Sequence, residues 1–398
     1  MVININQEMR EETLKLWKEY LLSEVAEDLL MGEVKDHLYV DGLNYKELYQ
    51  KGERYLIESV VKTAFEDSIE YAASALMDEP DEFMPYSELA QLMSKDEIID
   101  HLFALIVSCV KRYSVNEIMK NPYYLTIKLG GKYTKEHIVL TDNDYLAGEF
   151  IQTYHDEFDK NNPFIYGTAG FFDQKIQFPV LLENGTVWMS VVLSETQSME
   201  EPLSKAHGHV ITYGLGLGYF SFMASEKEEV DSVTVVEMNP KMISLFKEKL
   251  LPQFPNKEKI HICEANALDY VEFQEDGQYD YAFSDFWAGL SDGLFLYLDF
   301  LARTGRFKKT VHDYWIENSI VEYYFRPIIM QFFMSEILNR TVHLYDANRK
   351  VRVIQKAFYD YLREVKGTLN TKDDLYGLLE TSKLVHIVRS FAIGTRVK

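Results

Sequence analysis

Three glycines alternate in the stretch Gly214-Leu-Gly216-Leu-Gly218, between a short apolar strand predicted at 210–213 and a helix predicted at 219–225. Glycine has no Cβ, so backbone N–H groups at such a loop can approach a ligand closely. The N-terminus of the helix that follows favours negative charge. The pattern therefore predicts a ligand-binding loop, with a purely structural tight turn as the alternative.

Strand and helix signals alternate after this loop. Strands are predicted at 233–237, 260–263 and 279–285, and a helix at 240–250. Repeated β-α-β units predict a parallel sheet with right-handed crossovers. Glu237 ends the second strand, where an acid can accept hydrogen bonds from both hydroxyls of a ribose. A solvated glutamate at the end of a strand is the alternative interpretation.

The spacing of the glycines distinguishes two ligand classes. The dinucleotide fingerprint G-x-G-x-x-G needs a glycine at the position of Tyr219, so that match fails. The G-x-G-x-G spacing resembles the class I (Rossmann-type) S-adenosylmethionine-dependent methyltransferases. A predicted hairpin just before the core, the run Val-Val-Glu-Met-Asn-Pro at 235–240 and Leu251-Pro252 are similar to the spermidine-synthase-like branch. The resemblance covers about residues 178–290.

The resemblance implies S-adenosylmethionine as the cofactor. The glycine loop would hold its methionine end, Glu237 its ribose, and Met238 would pack on the adenine. Family members usually carry an aspartate just before the alanine that follows the third strand, whereas here Asn266 precedes Ala267. An amide oxygen can accept the same hydrogen bond from the adenine amino group. The implied cofactor site comprises Gly214, Gly216, Gly218, Glu237, Met238, Asn266 and Ala267.

Asp285 follows the fourth predicted strand and is followed by Phe286 and Trp287. Ligands of open α/β sheets bind beyond the carboxyl ends of the strands, which places Asp285 beside the reacting centre and the aromatic pair near the substrate. We expect Asp285 to act as a general base toward an amine or hydroxyl acceptor. A structural role as a cap or an ion-pair partner is an equally good interpretation.

Two departures from the family pattern bear on the reaction. Family members often have an acid two residues before the first glycine, where this chain has Thr212. The Asp-Ser-Ser-Asp type sequence of aminopropyltransferases is also absent, because Phe286 follows Asp285. We therefore predict methyl transfer to a small-molecule or protein acceptor that the sequence does not identify. The alternatives are an aminopropyltransferase-like enzyme using decarboxylated S-adenosylmethionine, or a non-catalytic scaffold that retains the core and binds a protein.

Two further motifs receive structural interpretations. Asn121-Pro122-Tyr123-Tyr124 is similar to the Asn-Pro-Pro-Tyr motif of amino-group methyltransferases, but it lies far upstream of the glycine loop, and Asn-Pro commonly begins a turn. His207 and His209 would share one side of a strand. No cysteine or acid pair nearby completes a ligand set, so no metal site is predicted.

Composition limits the class of protein. The 398 residues carry a formal net charge of −22, which disfavours non-specific binding to nucleic acid. Cys109 and Cys263 lack the spacing of a zinc or redox motif. The N-terminus has no basic segment followed by an apolar one, and the longest apolar run, 102–110, is too short to span a bilayer. These features predict a cytoplasmic protein that is not in a membrane.

The predicted fold class is α/β, with a Rossmann-like parallel sheet preceded by a small β-hairpin region and flanked by helical regions. The clearest hairpin joins strands at 178–182 and 186–192 through Asn184-Gly185, which suits a type I′ turn. Boundaries are predicted at 1–122 (helical), 123–205 (β-containing, with a strand at 124–129), 206–305 (cofactor-binding core) and 306–398 (helical, with long helices at 313–338, 350–365 and 373–390). The helical regions would cover the substrate or form a homodimer.

Overall fold

The computed structural model describes residues 1–35, 38–78, 88–154, 163–164, 168–344 and 346–394. The helices are α1 (Gln7–Lys35), α2 (Tyr45–Lys51), α3 (Glu53–Asp78), α4 (Leu89–Leu92), α5 (Lys95–Cys109), α6 (Val115–Ile118), α7 (Pro122–Thr126), α8 (Leu193–Ser198), α9 (Glu200–Lys205), α10 (Tyr219–Ser225), α11 (Pro240–Leu245), α12 (Ala267–Glu272), α13 (Leu290–Thr304), α14 (Glu317–Ile320), α15 (Arg326–Leu338), α16 (Arg349–Glu364), α17 (Lys372–Leu379) and α18 (Thr381–Gly394). The strands are β1 (Val2–Ile3), β2 (Val110–Tyr113), β3 (Tyr133–Lys135), β4 (Ile138–Tyr145), β5 (Phe150–Thr153), β6 (Thr168–Phe172), β7 (Ile176–Glu183), β8 (Thr186–Ser190), β9 (Gly208–Tyr213), β10 (Val230–Glu237), β11 (Ile260–Glu264), β12 (Tyr281–Ser284), β13 (Val311–Tyr314) and β14 (Thr368–Leu369).

The chain forms two compact units, each assembled from separate segments. The first unit comprises Met1–Val115, Tyr145–Ile176 and Tyr324–Leu384, and the second comprises Asn116–Asp144, Gln177–Tyr323 and Val385–Lys398. The boundaries predicted from the sequence run continuously along the chain, and they stay a prediction.

A five-stranded parallel sheet forms the centre of the second unit. Its strand order is β11-β10-β9-β12-β13, so the first strand of the core lies in the middle and successive strands are added on either side. β10 and β12 are rich in buried apolar residues, as expected of parallel strands that are covered on both faces. The chain leaves β9 and β12 at the carboxyl edge of the sheet, where open α/β sheets bind their ligands. The expected Rossmann-like α/β fold is present.

A second, four-stranded sheet of order β3-β4-β7-β8 comes before this core along the chain. β7 and β8 form the predicted antiparallel hairpin. Asn184 and Gly185 have φ angles of 53° and 83°, the positive values that a type I′ turn needs. The sequence prediction of this hairpin is therefore confirmed.

The first unit is largely helical. α1, α3 and α5 pack on one another, and a three-stranded sheet of order β2-β6-β5 completes the unit together with helices of the later segment. Ser94 and Glu97 form a capping box at the start of α5. None of the helices in the described ranges combines the length and apolarity needed to cross a lipid bilayer.

Three sequence predictions of secondary structure are wrong. The strand predicted at 124–129 is replaced by helix α7, because Asn121 accepts a hydrogen bond from the Tyr123 N–H and Pro122 supplies the φ angle of a first helical turn. The helix predicted at 313–338 begins only at Glu317, because the parallel strand β13 precedes it. The helix predicted at 373–390 is two helices, α17 and α18, separated at Glu380.

Candidate functional site

The glycine loop joins β9 to α10, and its three glycines serve different purposes. Gly214, Gly216 and Gly218 all have positive φ angles, of 101°, 52° and 76°. A Cβ at Gly214 would overlap the carbonyl oxygen of Asp285, and a Cβ at Gly218 would overlap the ring of Phe246. A Cβ at Gly216 would have only the Met189 sulfur within 4 Å, at 3.9 Å. Gly214 and Gly218 therefore permit close internal packing, whereas Gly216 borders open space that a ligand can enter.

Glu237 lies directly against this loop. Its Oε2 accepts a hydrogen bond from the Leu215 N–H at 3.2 Å, and its Oε1 accepts one from the Asn239 N–H at 2.7 Å. The Gly214 N–H also donates to the carbonyl oxygen of Val236 at 2.9 Å. The carboxylate is thus held at the glycine loop by backbone donors, and each oxygen keeps a second lone pair for another donor.

The residues implied for the adenine end lie at the ends of β10 and β11. Met238 is 65% exposed, so its side chain is accessible to a ligand. Asn266 is exposed, and its side-chain oxygen accepts a hydrogen bond from the Leu268 N–H at 2.8 Å, which caps helix α12. Ala267 is buried as the first residue of that helix. The role of Asn266 toward adenine stays a prediction. Its side-chain oxygen has a second lone pair, not used by the helix cap, that would accept from the adenine amino group.

Asp285 follows β12 directly, and its N–H donates to the carbonyl oxygen of Tyr213 at 2.8 Å. The residue is only partly buried, but its carboxyl group is withdrawn from solvent, and this burial raises its pKa to about 7. The hydroxyl of the neighbouring Ser284 is buried and has no hydrogen-bond partner in the described part of the chain. The carboxyl end of β12 therefore carries an acid that changes charge near neutral pH, beside an unsatisfied hydroxyl.

Glu195 is a second acid of this site that the sequence analysis missed. It lies in the first turn of α8, a helix that precedes the core along the chain. Burial raises the pKa of Glu195 to about 8, and the charge of Asp285 contributes to the increase. Such coupling requires the two carboxyl groups to be neighbours. Nothing in the local sequence marks Glu195, because its partner is 90 residues away along the chain.

The aromatic pair after Asp285 is divided between the site and the core. The rings of Phe286 and Trp287 have centroids 4.1 Å apart, and Phe286 also meets Phe300 at 5.0 Å. Trp287 is buried, and its ring N–H donates to the Ser284 carbonyl oxygen at 3.3 Å. Phe286 stays partly exposed. Only Phe286 is therefore placed to contact a substrate, and Trp287 supports the end of β12.

Thr212 occupies the position where the family often has an acid. It is buried at 2% exposure, and its hydroxyl donates to the Gly214 carbonyl oxygen at 3.4 Å, a weak contact within the loop. His207 and His209 are engaged with the Lys205 carbonyl oxygen and the Ser232 hydroxyl. Within the described ranges no three histidine, cysteine or acidic side chains are grouped as metal ligands.

Comparison with known proteins finds similarity only among solved structures. No protein-family model and no curated protein matches the chain. The similar structures include a spermidine synthase from Thermotoga maritima, with 14% identity and a TM-score of 0.29 over 44% of this chain and 68% of that one. A probable spermidine synthase from Corynebacterium glutamicum ATCC 13032 has 16% identity and a TM-score of 0.28 over 44% of this chain and 59% of that one. A spermidine synthase in complex with the transition state analogue AdoDATO has 15% identity and a TM-score of 0.26 over 39% of this chain and 60% of that one. The order and parallel pairing of the five strands define the chain's Rossmann-like α/β core.

Proposed function

We propose that the second unit is a transferase that moves an alkyl group from an S-adenosylmethionine-type donor to an amine acceptor. The observation that supports it best is that Glu237 and Asp285 flank the same glycine loop. The Glu237 carboxylate accepts from the Leu215 N–H, and the Asp285 backbone lies against Gly214. Glu237 is therefore available to a ribose and Asp285 to a reacting group, and both lie at the same glycine loop.

The residues present fit such a donor. Gly216 leaves open space at the loop, and Glu237 has lone pairs that can accept from two ribose hydroxyls. Met238 is exposed beside Glu237 and offers an apolar surface for an aromatic base. When bound, the donor would supply an alkyl carbon whose bond to sulfur breaks as the acceptor nitrogen attacks.

Asp285 and Glu195 suit an amine better than an acceptor without a charge. An amine reaches the site mostly as an ammonium ion, which the ionised form of Asp285 attracts and to which the carboxyl oxygens of Glu195 offer hydrogen-bond acceptors. Asp285, with a pKa near 7, is ionised in a large fraction of molecules at neutral pH and can take the proton that the nitrogen must lose. The protein then mainly orients the nitrogen and excludes water, because the sulfonium is already a good leaving group.

Methyl transfer and aminopropyl transfer are both candidate reactions for this site. Methyl transfer to an amine requires only one general base. An aminopropyl donor also carries an ammonium group, which the second acid, Glu195, could bind. The acceptor amine, small molecule or protein side chain, stays open under both candidates.

The nucleoside product distinguishes the two reactions. The purified protein would be incubated with S-adenosylmethionine or its decarboxylated form and a panel of amines, and nucleosides would be quantified by chromatography. Methyl transfer releases S-adenosylhomocysteine, and aminopropyl transfer releases methylthioadenosine. Failure to bind either donor, with no product from any amine, would refute the transferase proposal and favour a scaffold that binds a protein.

A further inference from the structure

The segment Asn121-Pro122-Tyr123-Tyr124 contacts two separate segments that carry candidate site residues. Tyr123 is fully buried, and its hydroxyl donates to the carbonyl oxygen of Leu217, within the glycine loop, at 2.7 Å. The hydroxyl of Tyr124, which is 5% exposed, donates to the carbonyl oxygen of Val191 at 2.7 Å. Val191 precedes α8, the helix that carries Glu195. Two consecutive tyrosines thus contact the glycine loop and the residue that leads into α8.

We propose that α7 is a positioning element in which Tyr123 sets the glycine loop for the donor and Tyr124 sets the helix of Glu195 for the acceptor. The consequences for catalysis rest on the proposed transferase function, whereas the contacts themselves do not. Both tyrosines act through other groups, and neither hydroxyl is available to a substrate, because each already donates to a backbone carbonyl.

The contact with the glycine loop has several independent components. The Asn121 side-chain amide donates to the Tyr219 hydroxyl at 2.8 Å, and Tyr219 is the first residue of the helix after the loop. The ring of Tyr123 meets those of Tyr219 and Phe222 edge-to-face, each at a centroid distance of 5.4 Å. Burial raises the pKa of Tyr123 far above its ordinary value, so its hydroxyl keeps its proton and remains a donor.

The local sequence explains why one short helix can serve both segments. Asn121 accepts from the Tyr123 N–H at 2.9 Å and Pro122 fixes the first turn, so the direction of the two tyrosine side chains is set locally. Adjacent residues on a helix point about 100° apart, which sends the two hydroxyls to different segments. A phenylalanine at either position keeps the ring and removes only one hydrogen bond, leaving a buried carbonyl without that partner.

The test compares wild type, Tyr123→Phe and Tyr124→Phe as ligand-free proteins by hydrogen–deuterium exchange resolved to short peptides. Tyr123→Phe is expected to speed exchange about fivefold at 214–222 and to leave 190–198 unchanged. Tyr124→Phe is expected to do the reverse, so each variant is the matched control of the other. Equal acceleration of both segments in both variants, or of neither segment, would overturn the proposal.

Functional readouts then test the two assigned roles. Tyr123→Phe is expected to weaken donor binding about five- to tenfold, more than it lowers kcat. Tyr124→Phe is expected to keep the donor dissociation constant within about twofold and to move the midpoint of the kcat–pH profile, because Glu195 shifts relative to Asp285. The positioning roles would be overturned if exchange changes locally but Tyr123→Phe keeps the wild-type donor affinity and Tyr124→Phe keeps the wild-type pH profile. Absence of donor binding by the wild type would instead refute the proposed function, and the exchange result would still decide whether α7 holds the two segments.

A second variant covers the possibility that Tyr123→Phe does not fold. Tyr219→Phe keeps the edge-to-face contact with Tyr123 and removes only the hydroxyl that accepts from Asn121. It is expected to speed exchange at 214–222 without affecting 190–198. Exchange indistinguishable from wild type in Tyr219→Phe would contradict the role of α7 at the loop.

Discussion

Gly214 lies against the backbone of Asp285 so closely that a Cβ at position 214 would overlap the Asp285 carbonyl oxygen. This contact joins the end of β9 to the end of β12, two neighbouring strands of the parallel sheet. The first glycine of the loop is therefore required by packing, and it brings the glycine loop and Asp285 together. A glycine in a ligand-binding pattern is here also a structural requirement.

Alanine substitutions in the loop should separate packing from access. Gly216→Ala meets no close neighbour, so it should lower the free energy of unfolding by only about 1 kcal/mol, the cost of a positive φ angle. Gly214→Ala adds an overlap with the Asp285 backbone to that cost and should lower the free energy of unfolding by about 3 kcal/mol or more. Urea unfolding followed by circular dichroism measures both. An equal loss of unfolding free energy in the two variants would show that the contact between Gly214 and Asp285 adds nothing to the cost of an alanine at position 214.

Asp285→Asn should lower kcat about 100-fold while the donor dissociation constant stays within about twofold. The amide keeps the shape of the side chain but cannot take a proton. In the wild type kcat should rise with pH through about 7, the pKa to which burial raises Asp285, because only the ionised form is a base. Asp231→Asn, at an exposed position in β10, is the matched control and should leave kcat unchanged. An unaltered kcat in Asp285→Asn would remove this residue from the mechanism.

The same two acids should make the protein less stable as the pH rises. Burial raises the pKa of Asp285 to about 7 and, with the charge of Asp285, that of Glu195 to about 8. Between about pH 4 and pH 8 the folded state therefore binds more protons than the unfolded state, so stability is lost as the pH increases. Asp285→Asn should be close to wild type at pH 4 and more stable by about 2 kcal/mol at pH 8. Denaturant unfolding at both pH values tests this, and a variant less stable at pH 8 would contradict the assigned burial.

His312 in β13 should produce the opposite dependence at low pH. Its ring is stacked with those of Phe307, at a centroid distance of 5.5 Å, and Tyr314, at 6.1 Å, and neither ring nitrogen has a hydrogen-bond partner within the described ranges. Burial and the nearby Arg389 lower the pKa of His312 to about 4, against the weaker influence of Asp313 and Asp276. The unfolded state then binds more protons between about pH 6.5 and pH 4, so stability is lost as the pH falls.

Replacement of this histidine by phenylalanine keeps a flat ring and removes the titration. His312→Phe should raise the free energy of unfolding at pH 4.5 by about 2 kcal/mol relative to wild type, with a smaller change at pH 7.5. His261→Phe, at an exposed position in β11, serves as the control for the replacement of a histidine by phenylalanine in a neighbouring part of the sheet. The assignment fails if the stability of wild type and His312→Phe declines in parallel as the pH falls.

The elements around the glycine loop could be predicted from the sequence because their signals are local. The type I′ turn at Asn184-Gly185 and the Val-rich strand β10 each depend on neighbouring residues. Helix α10 has the predicted bounds of 219–225. At these positions tertiary packing favours the same structure as local propensity and hydrophobic pattern, so the local sequence is enough to predict it.

The missed features depend on long-range contacts. Strand β13 has only four residues, and its place beside β12 is decided by pairing with Tyr281 and its neighbours. Tyr124-Leu-Thr-Ile alternates as a strand would, but Asn121 and Pro122 start a helix that the two tyrosine hydroxyls fix to distant carbonyls. Glu195 meets Asp285 only in the folded chain. Residues of the site that are far apart in sequence could not be paired from one sequence.

Calorimetric titration with S-adenosylmethionine, S-adenosylhomocysteine and decarboxylated S-adenosylmethionine tests the central claim most directly. Wild type should bind at least one of them with micromolar affinity, and Glu237→Ala should weaken that binding at least about tenfold, because the carboxylate at the loop is lost. Glu264→Ala is the matched control, since Glu264 is the register partner of Glu237 on β11 and is exposed. Strong binding that Glu237→Ala reduces and Glu264→Ala does not is the predicted result. Wild type that binds none of the three, or equal binding by wild type and Glu237→Ala, would contradict a donor site at this loop.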